Sequence, residues 1–178
     1  LRLPVIQAPM FLVSGPAMVI AACRAGIIGS FPTQNLRDDA ELEGWFAAID
    51  AATGTKGGCA PYAVNVIVHP SYPRREQDIA AVLKWKPPIV ITALGSPRDV
   101  VEAIHSYGGI VLADVISLRF ARKALDAGVD GLVLVASAYQ AETNLARNLL
   151  ALAIVALGAG VVASLWAQRR HMQKRLDA

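Results

Sequence analysis

A parallel α/β barrel is the fold class this sequence predicts, and three observations predict it. Short, almost wholly apolar runs alternate with amphipathic stretches of three or four helical turns from the amino terminus to about residue 136. Continuous apolar strands separated by helices mean a parallel sheet covered on both faces. Each round of strand and helix takes roughly 23 residues, and eight such rounds approach the roughly 200–250 residues of a closed (β/α)8 barrel. The rival, a doubly wound open sheet, usually carries a glycine-rich fingerprint after its first strand, and the segment QAPMFLVSG is not one. The architecture expected is a TIM-type barrel, incomplete at about six βα units, followed by an apolar helix. Residues 1–137 form the barrel portion, and 138–178 a linker, that helix and a basic tail.

The elements follow in order. A strand is expected over 4–10, ending in the turn Ala8-Pro9-Met10. Ser14 then reads as the N-cap of a helix to Ala25, with Pro16 near its first position and Gly26 as its stop. A strand over 27–31 precedes a helix over 38–52 that shows Leu42, Trp45, Phe46 and Ile49 on one face. The glycine-rich loop 54–58 resembles a phosphate loop in composition only. It leads into a strand rather than out of one, and reads as a connector. A strand over 62–68 with Asn65 inside it comes next, then a helix after Pro73 running to about Lys84. A strand over 88–94 leads to a helix capped by Ser96, with Pro97 and Asp99 in its first turn. A strand over 110–115, a helix from Ser117 to Ala127 stopped by Gly128, and a strand over 131–136 complete the series.

Composition narrows the function. Hydrophobic residues make up 54% and charged residues 17%, which is apolar for a globular domain. The net charge of +3 and the pI of 9.1 owe much to one tail, Arg169, Arg170, Lys174 and Arg175, so they do not mark a nucleic-acid groove. Cys23 and Cys59 lack CxxC spacing and suggest a reducing compartment, and Cys23 reads as a small hydrophobe on a helix face. No basic segment followed by a long apolar run opens the chain, so no signal peptide is expected; the missing initiator Met hints at a trimmed start.

Several side chains stand out. Asn65 inside an apolar strand needs hydrogen-bond partners, structural or from a ligand. His69 follows that strand directly and is the best-placed imidazole, though a loop histidine is more often solvated than catalytic. His105 reads as a helix C-terminal residue favoured by the dipole. Asp114 could face a substrate or cap the following helix, while Ser71 and Arg74 could reach a phosphate or begin a helix.

Five segments carry a resemblance: LPVIQAPM at 3–10, AACRAGIIGSFPT at 21–33, PYAVNVIVHPS at 61–71, PIVITALGSP at 88–97 and ARKALDAGVDGLVLV at 121–135. In this order and spacing they resemble the nitronate monooxygenase family, formerly called 2-nitropropane dioxygenases, over residues 1–136. Flavin-dependent enoyl reductases share much of the set. The resemblance implies an FMN-containing (β/α)8 barrel that oxidises alkyl nitronates with O2 and without a metal. It implies that Ala8, Pro9 and Met10 pack against the flavin ring and that Asn65 binds the flavin from the end of its strand. Asp114 joins them as a cofactor-binding candidate, and His69 is the catalytic candidate.

The resemblance stops after residue 136. The family continues with a glycine-rich turn carrying a histidine, the base that deprotonates a neutral nitroalkane in some members. Here Ser137-Ala138-Tyr139-Gln140 stands in its place, and the later strands whose loops hold the FMN phosphate do not follow. Residues 148–167 have no charge, are long enough to cross roughly 30 Å of hydrocarbon, and precede a basic tail. They read as a membrane helix with its carboxyl end in the cytoplasm, Ala156, Gly160 and Ser164 forming a small-residue stripe, or as a buried helix covering the sheet's open side. The chain is accordingly expected to be a fusion, a mis-joined frame or a truncated copy of a cytoplasmic enzyme, membrane-associated through 148–167. A non-catalytic membrane-tethered remnant and an enoyl reductase are the alternatives, and no nucleic-acid partner is expected.

Overall fold

Five parallel strands lie side by side in the order in which the chain makes them: β1 Gly29–Pro32, β2 Tyr62–Ile67, β3 Ile89–Ala93, β4 Ile110–Val115 and β5 Gly131–Leu134. The helices α1 Pro16–Ala25, α2 Asp39–Thr53, α3 Arg75–Trp85, α4 Arg98–His105 and α5 Leu118–Asp126 alternate with them. This computed structural model describes residues 1–54, 58–135, 155–156 and 159–160.

Strand order decides between the two α/β architectures. A doubly wound sheet reverses direction at a switch point and carries helices on both faces. Here the order never reverses, and the larger core cluster joins all five helices to one face of the sheet through Val19, Phe46, Val82, Ile104 and Ala124. The other face holds a cluster of Ile6, Ile28, Ala63, Ile89, Ile91 and Leu112, with no helix residue in it. Expectation and structure part here. The strands are apolar on both sides because one face meets helices and the other the barrel interior, rather than because two helical layers cover the sheet.

The expected strand over 4–10 shrinks to a single parallel bridge between Ile6 and Ile28. Gln7 N donates to Ile28 O at 2.8 Å and Ile28 N to Val5 O at 3.0 Å. Pairing stops on both sides: Val5 N turns to Leu3 O, Gln7 Oε1 takes the Ser30 N–H, and Pro9 has no N–H to offer a ladder. Ser14 does not cap α1. Gly15 holds that position, with Pro16 at the first helical residue as expected. Pro97, not Ser96, precedes the first residue of α4, although Ser96 Oγ still accepts from Arg98 N at 3.4 Å. Asp38 caps α2 by accepting from Ala40 N at 2.6 Å, and Ser117 caps α5 by accepting from Phe120 N. Gly26 and Gly128 stop α1 and α5 at φ values of 88°.

Helix α1 lies directly on β1. A Cβ at Gly29 would stand 2.3 Å from the Val19 carbonyl oxygen and 2.8 Å from Val19 Cα. Backbone, unlike a side-chain tip, cannot rotate away. Gly29→Ala is therefore expected to cost about 3 kcal/mol, the upper end for overpacking, read as a lowered urea midpoint. An unchanged midpoint would mean that α1 shifts freely on the sheet.

The expected glycine-rich connector falls partly, and the expected basic tail wholly, outside the described residues. Within 148–167, the described residues pair antiparallel, Val155–Ala156 with Ala159–Gly160, so at these positions the backbone is extended rather than helical. β-branched Val155 and Gly160 are weak helix formers. The rest of that stretch lies outside the described residues. Among the described residues no helix is long and apolar enough to cross a membrane.

Candidate active site

The site begins with the turn after Ile6. Ser14 is 1% exposed, and its hydroxyl is fully used: it accepts from Gln7 Nε2 at 2.8 Å and from Met10 N at 3.0 Å, and it donates to Ala8 O at 3.1 Å. Asn35, just past β1, holds the other side. Its Oδ1 accepts from Leu12 N at 2.7 Å and its Nδ2 donates to Ser14 O at 2.9 Å. Gln7 reaches across to Ser30, whose N–H donates to Gln7 Oε1 at 3.0 Å and whose hydroxyl donates to Gln7 O. Ala8-Pro9-Met10 is thus a rigid turn, although it is not part of a strand.

Alternation along β2, β3 and β4 does the rest. Asn65 pairs in register with Ile91, and Ile91 with Leu112, so all three share the interior face, and Asp114 follows Leu112 on that face. Asn65 is 6% exposed, and its Nδ2 donates to Asp114 Oδ2 at 3.3 Å. Both open into a cavity of about 940 Å³ at the carboxyl ends of the strands, where Pro9, Gln34 and His69 also contribute to the wall. That is the face where barrels place their ligand sites. Burial pushes the Asp114 carboxyl up to about 6, against the opposing pull of the Asn65 hydrogen bond. The alternative reading of Asp114 as a helix cap falls away, because Ser117 caps α5.

His69 is exposed, and its own turn defines its chemistry. Ser71 N–H donates to His69 Nδ1 at 3.2 Å, and the Ser71 hydroxyl lies 2.7 Å from the same atom. A backbone N–H can only donate, so Nδ1 is an acceptor and the ring proton sits on Nε2. In this state His69 offers a donor, not a free base. Arg74 is engaged away from the cavity, with Asp39 at 2.6 Å, the Arg37 carbonyl at 2.9 Å and Asp78 at 3.3 Å. Asp78 is fully buried, and Thr33 Oγ1 donates to it at 2.7 Å. Burial raises its carboxyl despite the Thr33, Arg74 and Tyr72 contacts that oppose the rise. His105 pairs with Asp130 at 2.8 Å, remote from the cavity lining.

Of the six site residues the sequence suggests, the cavity collects Pro9, Asn65, His69 and Asp114. Ala8 and Met10 form the turn that carries Pro9. Sequence reasoning missed Ser14 and Asn35 as the braces of that turn, Leu94 at the mouth, and Lys123, the cation of the lining among the described residues. Only the clustering of Ser14 with Gly15 and Pro16 could have hinted at one of them.

No protein-family model matches this chain. A nitronate monooxygenase from Paraburkholderia phytofirmans is 30% identical in a match that covers 73% of this chain. The chain is thus similar to a nitronate monooxygenase over most of its own length. It spans 44% of that relative's length. Among solved structures, FabK from Thermotoga maritima superposes with a TM-score of 0.64 at 21% identity, over 74% of this chain and 40% of its own. A nitroalkane oxidase from Streptomyces ansochromogenes gives 0.63 at 22% identity, over 74% and 46%. A mandelate oxidase holding a C4a-OH-FMN adduct gives 0.51 at 18%, over 74% and 47%. At these identities the structures speak for the barrel fold alone.

Proposed function

We propose that this chain forms the flavin-binding part of an oxidoreductase that takes alkyl nitronates and O2, with FMN as its flavin. The observation that carries the reading is the cavity at the strands' carboxyl ends, with the buried Asn65–Asp114 pair beneath it and the braced Pro9 turn beside it. The kinship with a nitronate monooxygenase supports it.

The residues present fit the ring end of a flavin. Pro9 gives a flat apolar wall, held by the Ser14 and Asn35 hydrogen bonds. Asn65 adds an amide with both donor and acceptor capacity in a nearly dry position. When bound, the flavin supplies oxidation of the substrate with O2 as the final acceptor. The chain's own side chains bind and orient. His69 Nε2–H is a donor for an anionic oxygen, and Asp114, protonated below about pH 6, is a second. Above that pH its charge opposes an anion. A nitronate is already deprotonated, so a site whose imidazole is a donor suits nitronates rather than neutral nitroalkanes.

The test is the visible absorption spectrum of the full chain after incubation with FMN and desalting. A retained oxidised-flavin band is expected, and Asn65→Leu is expected to weaken retention at least about tenfold. Turnover of an alkyl nitronate without turnover of the matching nitroalkane is expected next. Absence of any retained flavin overturns the reading. NAD(P)H oxidation with an enoyl thioester, in place of nitronate turnover, would replace it by the enoyl reductase alternative.

A further inference from the structure

Asp78 stands apart from every other acid. Among the described residues it is the one charged side chain that is buried, with no exposure at all, yet it is not part of the cavity wall. Neither stability nor the helix dipole accounts for it. A buried carboxylate costs free energy that an apolar side chain of similar size would not. Asp78 Oδ1 accepts no hydrogen bond and has only the Arg74 guanidinium, at 3.3 Å. An acid in the first turn of α3 gains from the dipole while exposed, as Glu76 does with 80% of its side chain in solvent.

Asp78 joins two walls of the cavity. Its Oδ2 accepts from the Thr33 hydroxyl at 2.7 Å and from the Tyr72 hydroxyl at 3.3 Å. Thr33 opens the 3-10 turn Thr33–Asn35 after β1, which carries Gln34 to the cavity and Asn35 to the Pro9 turn. Tyr72 closes the turn after β2: its N–H donates to His69 O at 2.9 Å, and both residues line the cavity. Arg74, two residues on, bonds the Arg37 carbonyl and Asp39, so the same two turns are fastened again at the surface. The Thr33–Asp78 bond is the buried link between them.

Resting on the reading of this cavity as the active site, we propose that Asp78 is a positioning residue. Its carboxylate fixes the turn after β2 against the turn after β1, and so holds the His69 ring, with Nε2–H as the donor, in a set place relative to the Pro9 turn. A shift of about 1 Å caused by a residue away from the chemistry can cost about a hundredfold in rate, so a link of this kind has a catalytic effect without touching substrate.

The test is nitrogen NMR of the full chain, isotope-labelled in its histidines and without flavin, in which the two ring nitrogens of His69 report which one carries the proton. His69→Gln assigns the signal. Thr33→Val removes the buried link and keeps the shape. Asp78→Leu removes the carboxylate, and Asp78→Asn returns an acceptor oxygen at the same place. Val82→Ala, one turn along α3 and 2% exposed, loosens the helix without touching the link. Thr33→Val and Asp78→Leu are expected to lose the single Nε2–H signature, the two nitrogens moving toward an average of both tautomers as the Ser71 N–H leaves Nδ1. Asp78→Asn and Val82→Ala are expected to keep it. The His105 signal, set by Asp130, is expected to stay in every variant. Thr33→Val carries the test if Asp78→Leu does not fold.

An unchanged His69 signature in Thr33→Val overturns the proposal. So does an equal loss in Val82→Ala, which would make Asp78 merely structural. A loss in Asp78→Asn overturns it too, because the charge and not the acceptor geometry would then hold the turn. With FMN retained, Thr33→Val is further expected to lower kcat for an alkyl nitronate about tenfold. The flavin reading is scored separately by the absorption spectrum. No retained flavin in the unaltered chain refutes that reading and leaves the His69 result standing, and a retained band with an unmoved His69 signature refutes the role of Asp78 alone.

Discussion

Asp114→Asn is expected to make the protein more stable at pH 8 by about 1–2 kcal/mol, and to leave its stability near pH 3 almost unchanged. The Asp114 carboxyl is raised from 3.8 to about 6 by burial. Between those values the folded state binds more protons than the unfolded state, so this group's contribution to stability falls as pH rises from about 4 to about 6 and stays lost above. At 1.36 kcal/mol per pH unit the ceiling is about 3 kcal/mol, and solvent reaching the half-buried group reduces it. Asn has the same shape and no charge to desolvate. Urea unfolding of both proteins at pH 3, 5 and 8 checks this. Asp78, raised by burial, has the same sign as Asp114, and Glu43, lowered first by its Lys84 hydrogen bond, has the opposite sign. Both cancel in the difference between the two proteins. Equal stability at pH 8 would show that Asp114 is as well solvated folded as unfolded. A site residue whose removal stabilises the fold is one held for its chemistry rather than its packing.

Phe46→Ala is expected to cost about 3–5 kcal/mol. Phe46 is fully buried, meets Phe31 edge-on at 5.5 Å and stacks on Trp85 at 5.9 Å. It joins α2 to β1 and α3 at once, so no single neighbour can move in to fill the void. A domain has only about 5–15 kcal/mol in all, so the variant should be partly unfolded at 37 °C. Its urea midpoint measures the loss, and a cost below about 1 kcal/mol would mean that the aromatic cluster repacks.

The sequence made the barrel legible through local signals: Asp38 and Ser117 at their helix starts, Gly26 and Gly128 at the stops, and the apolar runs between. It made Asn65 legible because a lone amide in YAVNVIV cannot go unpartnered. Other features were not legible, for definite reasons. An apolar run has the same composition whether its second face meets a helix layer or a barrel interior, so only strand order showed that all the helices lie on one side. The run 4–10 is apolar enough for a strand, but Val5 N turned to Leu3 O, the Ser30 N–H taken by Gln7 Oε1 and the missing N–H of Pro9 leave only the bridge at Ile6. Ser14 stands two residues before Pro16, the spacing of a cap, yet its hydroxyl turns backwards to Ala8 and Met10. Asn35 and Leu94 act through contacts with residues distant in sequence, or through a backbone conformation that their side chains do not advertise.

The unbroken strand order has a consequence for how the chain is made. Every strand pairs with the strand synthesised just before it, from β1 through β5. A βα unit leaving the ribosome therefore finds its template already in place and never waits for chain not yet translated. Pairings between successive units keep loop closures short and folding fast for a parallel sheet. Growth of such a sheet is additive, like that of a repeat array: a unit joined at the β5 edge enlarges the fold without redrawing what precedes it.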